Sequence, residues 1–367
     1  MAPSATTPGS TPGTGDDPTI LSLRKTLTSE QTPLARRFRA LFSLKHYASL
    51  DPPTVQTVPA IEAIAAAFPT PSSLLKHELA YCLGQTRNDA AIPFLRARLK
   101  DAAEDAICRH EAAEALGALG DEGSLALLKR CRDDEREEVV VRETCDIAVA
   151  RLEWERSRAA ETERLHKRCV YPDGIFEAVV KLIGLMIYSD FTSIDPAPPL
   201  PQDSEKPSIP ELEQTMLDTT FPLFQRYRAM FSLRDLCSPP DLPTAVPAVQ
   251  ALAKGLKDPS ALFRHEVAFV FGQLSHPASI PALYDTLQDQ REVGMVRHEA
   301  AEALGSLGDE DGVEDMLKKF LDDEEEVVRE SIVVALDMAE FERNGEAEYA
   351  LAPEVEDSSA MEVAAAA

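Results

Sequence analysis

Two regular intervals of self-similarity organise this chain. The segment KHELAYCLGQ at 76–85 returns as RHEVAFVFGQ at 264–273, and RHEAAEALGALGDE at 109–122 returns as RHEAAEALGSLGDE at 297–310. Both returns come 188 residues later, whereas matching positions within one half, such as His77 and His110, are 33 residues apart. A duplicated chain with a short inner period predicts two equivalent arms, each stacked from small repeating units.

The inner unit has the marks of paired helices. Each copy ends in Leu-Gly followed by acidic residues, at 119–122 and 307–310, and Gly is a common helix stop. Pro93 and Pro281 come near the starts of the following helices, where a missing N–H costs little. Aromatic residues make up only 6% of the chain, which suits close-packed helices better than a β-sandwich. These features predict an all-α fold, an α-solenoid of HEAT-like helical hairpin repeats in two pseudo-symmetric four-repeat arms.

The predicted repeats define the domain boundaries. We expect repeats to begin near residues 34, 72, 105 and 138, and again near 223, 260, 293 and 325. Between the arms, the Pro-rich stretch at 191–211 favours a linker. The predicted organisation is a disordered N-terminal tail at 1–30, an N-terminal arm at 31–156, a linker with a possible extra helix at 157–215, a C-terminal arm at 216–344 and a disordered acidic, Ala-rich tail at 345–367.

Charge and cysteine content narrow the range of partners. The formal net charge is −26, which disfavours nucleic acid as a partner because phosphate binding needs a basic face. The longest apolar run, 175–188, contains Glu177 and Lys181 and is too short to span a membrane. The six cysteines form no CxxC pair, and no secretory signal is visible. We therefore expect a monomer with reduced thiols in the cytoplasm, and also in the nucleus.

Four histidines are each followed directly by glutamate at matching repeat positions. A single histidine on a repeat helix is usually a structural residue, but the same dipeptide on four equivalent helices is harder to explain that way. With about 100° of rotation per residue, His110 lies roughly opposite the stripe formed by Ala112, Ala115, Leu116 and Leu119. The pairs are therefore predicted to lie off the packing stripe, exposed on the concave face of the solenoid. They are His77-Glu78, His110-Glu111, His265-Glu266 and His298-Glu299.

Imidazole and carboxylate groups without thiolates are ligands that suit Fe, Mn or Zn. Each arm offers two histidines and one or two carboxylates, an arrangement similar to the 2-His-1-carboxylate sites that leave positions open for O₂. The duplication implies two metals, one per arm. The spacing is not HExxH, because Ala80 and Tyr81 follow Glu78, so a zincin-type site is not the explanation.

The four (R/K)HE motifs on duplicated repeats resemble the deoxyhypusine hydroxylase family over about residues 30–340, and SIDPAPP at 193–199 is also similar to that family's linker. The resemblance implies an iron-dependent monooxygenase with two Fe²⁺ per chain. It would use O₂ and a reductant to convert deoxyhypusine, an aminobutyl-extended lysine of one translation factor, to hypusine. By position, His77, His110 and Glu111 would bind one iron, and His265, His298 and Glu299 the other.

The resemblance also suggests substrate contacts. Glu78 and Glu266 would support the metal ligands or contact the substrate amines, and Met295 matches a substrate-associated position, although a gap-filling role explains it as well. An acidic cleft would attract the dicationic side chain. Its candidate contributors are Glu114, Glu302, Asp121 and Asp309, although helix capping explains the aspartates at least as well.

Two other functions remain open from the residues alone. A two-metal hydrolase would activate water with Zn or Mn and would work without O₂ or a reductant. A non-enzymatic repeat scaffold would use its concave face for protein binding and would tolerate alanine in place of the His-Glu pairs.

Overall fold

The computed structural model describes residues 17–157, 193–200 and 207–344. These residues form sixteen α-helices, joined by short turns and 3₁₀ segments, and contain no β-strand. The all-α solenoid expected from the sequence is therefore confirmed. The predicted C-terminal tail and the possible extra helix near 171–190 lie outside the described residues.

The N-terminal arm consists of four helical hairpins in which outer and inner helices alternate. The outer helices are α1 (Pro18–Thr28), α3 (Thr57–Ala65), α5 (Ile92–Lys100) and α7 (Leu125–Asp133), and the inner helices are α2 (Leu34–Ala48), α4 (Ser73–Gln85), α6 (Ala106–Ala118) and α8 (Val139–Arg156). Each inner helix packs against the next one, and this stack contains the core of the arm.

The C-terminal arm repeats this order. Its outer helices are α9 (Ile209–Leu217), α11 (Ala245–Ala253), α13 (Ile280–Gln288) and α15 (Val313–Leu317), and its inner helices are α10 (Leu223–Asp235), α12 (Ala261–Leu274), α14 (Gly294–Gly305) and α16 (Glu326–Asn344). The count of four repeats per arm agrees with the sequence prediction, but the predicted starts fall on the inner helices. Each hairpin in fact begins one helix earlier.

Two boundary predictions were wrong, because each arm begins with an outer helix that the prediction had placed largely outside it. Residues 18–28, expected to be disordered, form α1, and residues 209–217, expected to be linker, form its counterpart α9. Asp17 caps α1 by accepting the N–H of Thr19, Pro18 occupies its first turn, and three apolar side chains spaced for one helix face are buried. They are Ile20, Leu23 and Leu27. Residues 1–16 lie outside the described part of the chain.

The two arms close into a ring of inner helices. Helix α16 contacts α2 and α4, and α8 contacts α10 and α12, so each arm ends against the start of the other. Matched hydrogen bonds mark these two seams: Ser72 Oγ donates to Glu330 Oε2 at 2.8 Å, and Ser260 Oγ donates to Glu143 Oε2 at 2.7 Å. Because these pairs occupy equivalent repeat positions, the ring has pseudo-twofold symmetry.

Two of the three arginines that directly precede a His-Glu pair bind the end of the preceding outer helix, whereas the third, Arg264, donates to the carbonyl of Asp258. Arg109 donates to the carbonyl of Leu99 at 3.2 Å, and Arg297 donates to that of Leu287 at 2.9 Å. In each case the acceptor is ten residues earlier, near the end of the preceding outer helix, where carbonyls lack helical partners. Arg37 and Arg226 make the same contact with Leu27 and Met216. These buried arginines therefore join the two helices of a hairpin.

The remaining sequence expectations concern thiols and membranes. The five described cysteines are buried and form no disulfide with one another, and Cys169 lies outside the described residues. No described helix has both the length and the apolar character needed to cross a bilayer.

Candidate metal centre

The four His-Glu pairs lie on four inner helices, two from each arm. His77-Glu78 is on α4, His110-Glu111 on α6, His265-Glu266 on α12 and His298-Glu299 on α14. Equivalent serines begin two of these helices: Ser72 accepts the N–H of Leu75 at 3.0 Å, and Ser260 accepts that of Phe263 at 3.1 Å. Such caps fix where a helix starts and therefore where its fifth and sixth residues point.

The ring closure brings all four imidazoles to one point. Within each arm the ring centroids are 5.3 Å apart (His77 and His110) and 5.4 Å apart (His265 and His298). Across the arms, His77 lies 5.7 Å from His265 and 5.3 Å from His298, and His110 lies 5.4 Å from His265. The sequence predicted two matched sets, and the structure places them side by side.

The exposure predicted for these pairs was wrong. The four histidines are at most 4% exposed and the four following glutamates at most 6%. Helical phase correctly placed them away from the stripe that packs neighbouring helices of one arm, but the opposite arm covers that second face. The pairs therefore lie inside the ring.

The imidazoles are buried without hydrogen-bond partners. Both ring nitrogens of His77, His110, His265 and His298 lack one within the described part of the chain. Burial is the largest effect that lowers the pKa of His110 and His298 well below the usual value and that of His265 to about 3. These three rings are therefore neutral at physiological pH, which is the state that binds metal. Buried polar groups are normally paired, so eight such nitrogens at one point fit a metal-binding role.

One carboxylate approaches the imidazoles in each arm. Glu111 Oε2 lies 3.3 Å from His77 Nε2, and Glu299 Oε2 lies 3.2 Å from His265 Nε2, although neither contact has hydrogen-bond geometry. Burial, with the neighbouring carboxylates, raises the pKa of Glu111 and Glu299 to about 8. Nitrogen and oxygen atoms of His265, His298 and Glu299 lie within 4.8 Å of one another, as do those of His77, His110 and His265. This donor set suits two metal ions with imidazole and carboxylate ligands.

Four further carboxylates surround the cluster. Glu78, Glu114, Glu266 and Glu302 line a cavity of about 180 Å³ beside the imidazoles. Glu302 accepts a hydrogen bond from Ser331 Oγ at 3.0 Å and lies 3.5 Å from His298 Nδ1, where it is placed to orient that ring. Glu266 Oε1 is buried without a partner.

The remaining candidates from the sequence lie elsewhere. Asp121 pairs with Arg96 at 2.6 Å and accepts the N–H of Gly123, so its role is structural. Asp309 is exposed, and neither aspartate lines the cavity. Met295 is half-buried in the first turn of α14 and is also absent from the cavity lining.

The walls of the cavity were not predicted from the sequence. Aromatic and aliphatic side chains form them, together with one lysine: Phe38, Phe42, Lys45, Tyr81, Phe269, Val334 and Met338. Three of these come from α2, whose motif RFRALFSL repeats at 226–233, but repetition alone does not distinguish a cavity wall from a core position. How the ring closes determines which of the two copies of this motif faces the candidate metal centre.

Comparison with known proteins gives consistent matches. The sequence profile for HEAT repeats matches residues 60–146 and 249–337. The chain is 64% identical over 338 residues to the deoxyhypusine hydroxylase of Aspergillus fumigatus, with 92% of this chain and 95% of that protein covered. It is 67% identical over 343 residues to that of Phaeosphaeria nodorum, covering 94% and 98% of the two chains.

A solved structure supports the same relationship. The human deoxyhypusine hydroxylase in complex with glycerol superimposes with a TM-score of 0.70 at 41% sequence identity, covering 88% of this chain and 96% of that one. At this identity and coverage the likeness extends to sequence as well as fold.

Proposed function

Because the chain belongs to the deoxyhypusine hydroxylase family, it is an enzyme, and we propose that it is an iron-dependent monooxygenase. Its reaction is the hydroxylation of the deoxyhypusine side chain of a translation factor to hypusine. We propose O₂ and a reductant as co-substrates. The observation that carries the proposal is the group of four buried, unpartnered imidazoles at the junction of the arms.

We propose that the chain holds two Fe²⁺ ions. His77, His110 and Glu111 would bind one ion, and His265, His298 and Glu299 the other, in agreement with the short contacts of Glu111 and Glu299. When bound, two irons together supply the electrons with which O₂ is activated to oxidise an aliphatic C–H bond. The protein contributes the neutral imidazoles and the low-dielectric surroundings that favour binding.

The carboxylates that line the cavity would bind the substrate. The deoxyhypusine side chain carries two cationic nitrogens, and Glu78 and Glu266 lie beside the imidazoles with oxygens able to accept their hydrogen bonds. Such contacts would hold the carbon between the nitrogens at a constant position relative to the irons. Phe42 and Phe269 in the cavity wall exclude water and pack against methylene groups. Met295, outside the cavity, remains a proposed contact with the rest of the protein substrate.

Hydroxylation of the intact factor tests the proposal. The iron-loaded protein, O₂, a reductant and a deoxyhypusine-bearing translation factor should yield a factor heavier by the mass of one oxygen atom. The control factor carries unmodified lysine at the same position and should not change. A change in the mass of the factor without O₂ and a reductant would contradict the proposal and favour the hydrolase. Binding of the factor with no change in its mass, retained after alanine replaces the His-Glu pairs, would favour the scaffold.

We also propose that the enzyme works as a monomer in the cytoplasm, and also in the nucleus. The buried free thiols of the described residues are consistent with a reducing compartment. Light scattering on the purified protein and imaging of a fluorescently tagged chain test these two statements, and a stable dimer or a secreted product would contradict them.

A further inference from the structure

The pseudo-twofold ring has two equivalent seams at which a side chain could reach the metal centre. One is the α2–α16 seam, and the other is the α8–α10 seam. Phe42 and Lys45 of α2 correspond in the repeat to Phe231 and Arg234 of α10, and Met338 of α16 corresponds to Arg151 of α8. If the two halves were identical, a substrate could enter through either of two equivalent openings.

The segment 193–200 covers the α8–α10 seam. Its first two residues bind both arms: the N–H of Ile194 donates to Gln85 Oε1 at 2.7 Å, and Gln273 Nε2 donates to Ser193 Oγ at 2.6 Å. Further along, Leu200 N–H donates to Ser232 Oγ at 2.8 Å. Gln85 and Gln273 are equivalent residues of α4 and α12, so the segment spans the pseudo-twofold axis. This seam is therefore filled by the chain itself.

An ion pair and a backbone contact also attach the segment to α8 and α10. Arg234 is 2% exposed and pairs with Asp195 of the segment at 2.8 Å, while Arg151 donates to the Asp195 carbonyl. Asp195 is near enough to the centre to raise the pKa of Glu114 and Glu266, in addition to the larger effect of burial. The two arginines therefore hold the segment over this seam.

The α2–α16 seam is not covered by this segment. Met338 occupies the position of Arg151, and the partly exposed Lys45 occupies that of Arg234. Both line the cavity beside the imidazoles. A second cavity of about 590 Å³ shares Lys45 and Tyr81 with the first and is lined on its outer side by exposed residues, among them Asp51 and Arg87. The two cavities therefore adjoin at Lys45 and Tyr81 on this side of the ring.

We propose that the protein substrate inserts its deoxyhypusine side chain through the α2–α16 seam alone, because residues 193–200 close the α8–α10 seam. This inference rests on the proposed function and adds the route and the orientation of the substrate. The walls of the open seam suit such a chain: Phe42, Phe269 and Met338 pack against its methylenes, and the carboxylates at the cavity floor bind its nitrogens. The adjoining surface cavity would hold the polypeptide around the modified lysine.

Placing the arginine of the closed seam in the open one tests this route. The measurement is equilibrium binding of the deoxyhypusine-bearing factor to iron-loaded enzyme without O₂, so that no turnover occurs. Met338→Arg should weaken binding by about tenfold or more, since it puts a like charge in the path of the substrate. Met338→Gln, similar in length but neutral, should weaken binding less than Met338→Arg, since it loses the apolar contact but adds no like charge.

Val333→Arg is the matched control for charge. Val333 lies on the same helix but is 43% exposed, so its variant should bind within about twofold of wild type. Equal loss in both arginine variants, or normal binding by Met338→Arg, would overturn the proposed route. If Met338→Arg fails to fold by circular dichroism, Met338→Lys provides the same comparison with a more flexible side chain.

The outcome for the wild type separates the two proposals. A wild-type protein that neither binds nor hydroxylates the deoxyhypusine-bearing factor contradicts the proposed function. A wild-type protein that does both, combined with unaltered binding by the Met338 variants, contradicts only the route.

Discussion

The imidazole rings of His77 and His298 belong to different arms, yet their centroids lie 5.3 Å apart, the same separation as between His77 and His110 of one arm. The contacts across the junction are thus as close as those within an arm. The candidate metal centre is consequently a property of the closed ring, and changes at either seam can affect it.

Removing one imidazole should release metal without unfolding the protein. We expect His298→Ala to lose at least one of two bound irons and all hydroxylase activity, because the ring is a proposed ligand with no other partner. Iron analysis by mass spectrometry and circular dichroism check this expectation. His46→Ala, at an exposed histidine of α2, is the control and should keep both irons. Wild-type iron content in His298→Ala would contradict the ligand assignment.

Metal removal should lower the thermal stability. Each metal that binds only the folded state stabilises it by mass action, by about 4 kcal/mol when its free concentration is a thousandfold above Kd. We therefore expect chelation to lower Tm and Fe²⁺ to restore both Tm and activity. Differential scanning calorimetry before and after dialysis measures the change. An unchanged Tm would mean that the buried imidazoles do not hold metal.

Glu302 should act by positioning His298 rather than by reacting. It lies 3.5 Å from His298 Nδ1 and accepts from Ser331. We expect Glu302→Gln to weaken iron binding by about 10- to 100-fold, as is typical when a carboxylate behind a ligand histidine is lost. Titration of metal-free protein with Fe²⁺ measures this effect independently of activity. Glu340→Gln, at an exposed position of α16, should bind iron normally.

The buried ion pair of Arg297 and Asp323 should contribute strongly to stability. The two side chains are 1% and 2% exposed, and Arg297 Nη1 donates to Asp323 Oδ1 at 2.8 Å. Asp323→Asn leaves a buried arginine without its counter-charge and should reduce the free energy of unfolding by about 3–5 kcal/mol. Asp289→Asn removes the same type of pair from an exposed position, where Asp289 meets Arg291, and should leave the urea midpoint unchanged.

The same pair predicts a pH dependence. The hydrogen bond from Arg297 is the main cause that lowers the pKa of Asp323 from 3.8 to about 2. Because the folded-state pKa lies below the unfolded value, the stabilisation is complete above about pH 4 and is lost as the pH falls towards 2. Urea unfolding of wild type and Asp323→Asn between pH 5 and 2 should show the difference between them shrinking. A constant difference would contradict this assignment.

Equivalent glycines of the two arms should differ in their tolerance of alanine. A Cβ on Gly84 would lie 2.6 Å from Ala115 Cβ, whereas one on Gly272 would lie 3.5 Å from Ala303. Gly84→Ala should therefore destabilise the protein by about 1–3 kcal/mol through overpacking. Gly272→Ala should be neutral or slightly stabilising, since alanine favours the helix. Chemical denaturation compares the two, and equal effects would contradict the difference in packing.

Local patterns in the sequence were sufficient for the repeats and for the candidate ligands. A 33-residue period with glycine stops specifies helical hairpins because capping and helix packing depend on residues close in sequence. The 188-residue return specifies two arms, and the four His-Glu dipeptides identify themselves by recurring at equivalent positions. The short outer helices α1 and α9 were not predicted, because they precede the first clear motif of each arm and because Pro and Thr suggested a tail.

Only the tertiary structure decided how the two arms meet. Helical phase shows which face of α6 carries His110, but it says nothing of what lies opposite, so the burial of all four pairs could not be predicted. The difference between the two seams, whose sequences match, could not be predicted either. It arises because residues 193–200 bind Arg234 at one of them. Contacts between residues far apart in the chain depend on the position of whole elements, and no local pattern encodes that position.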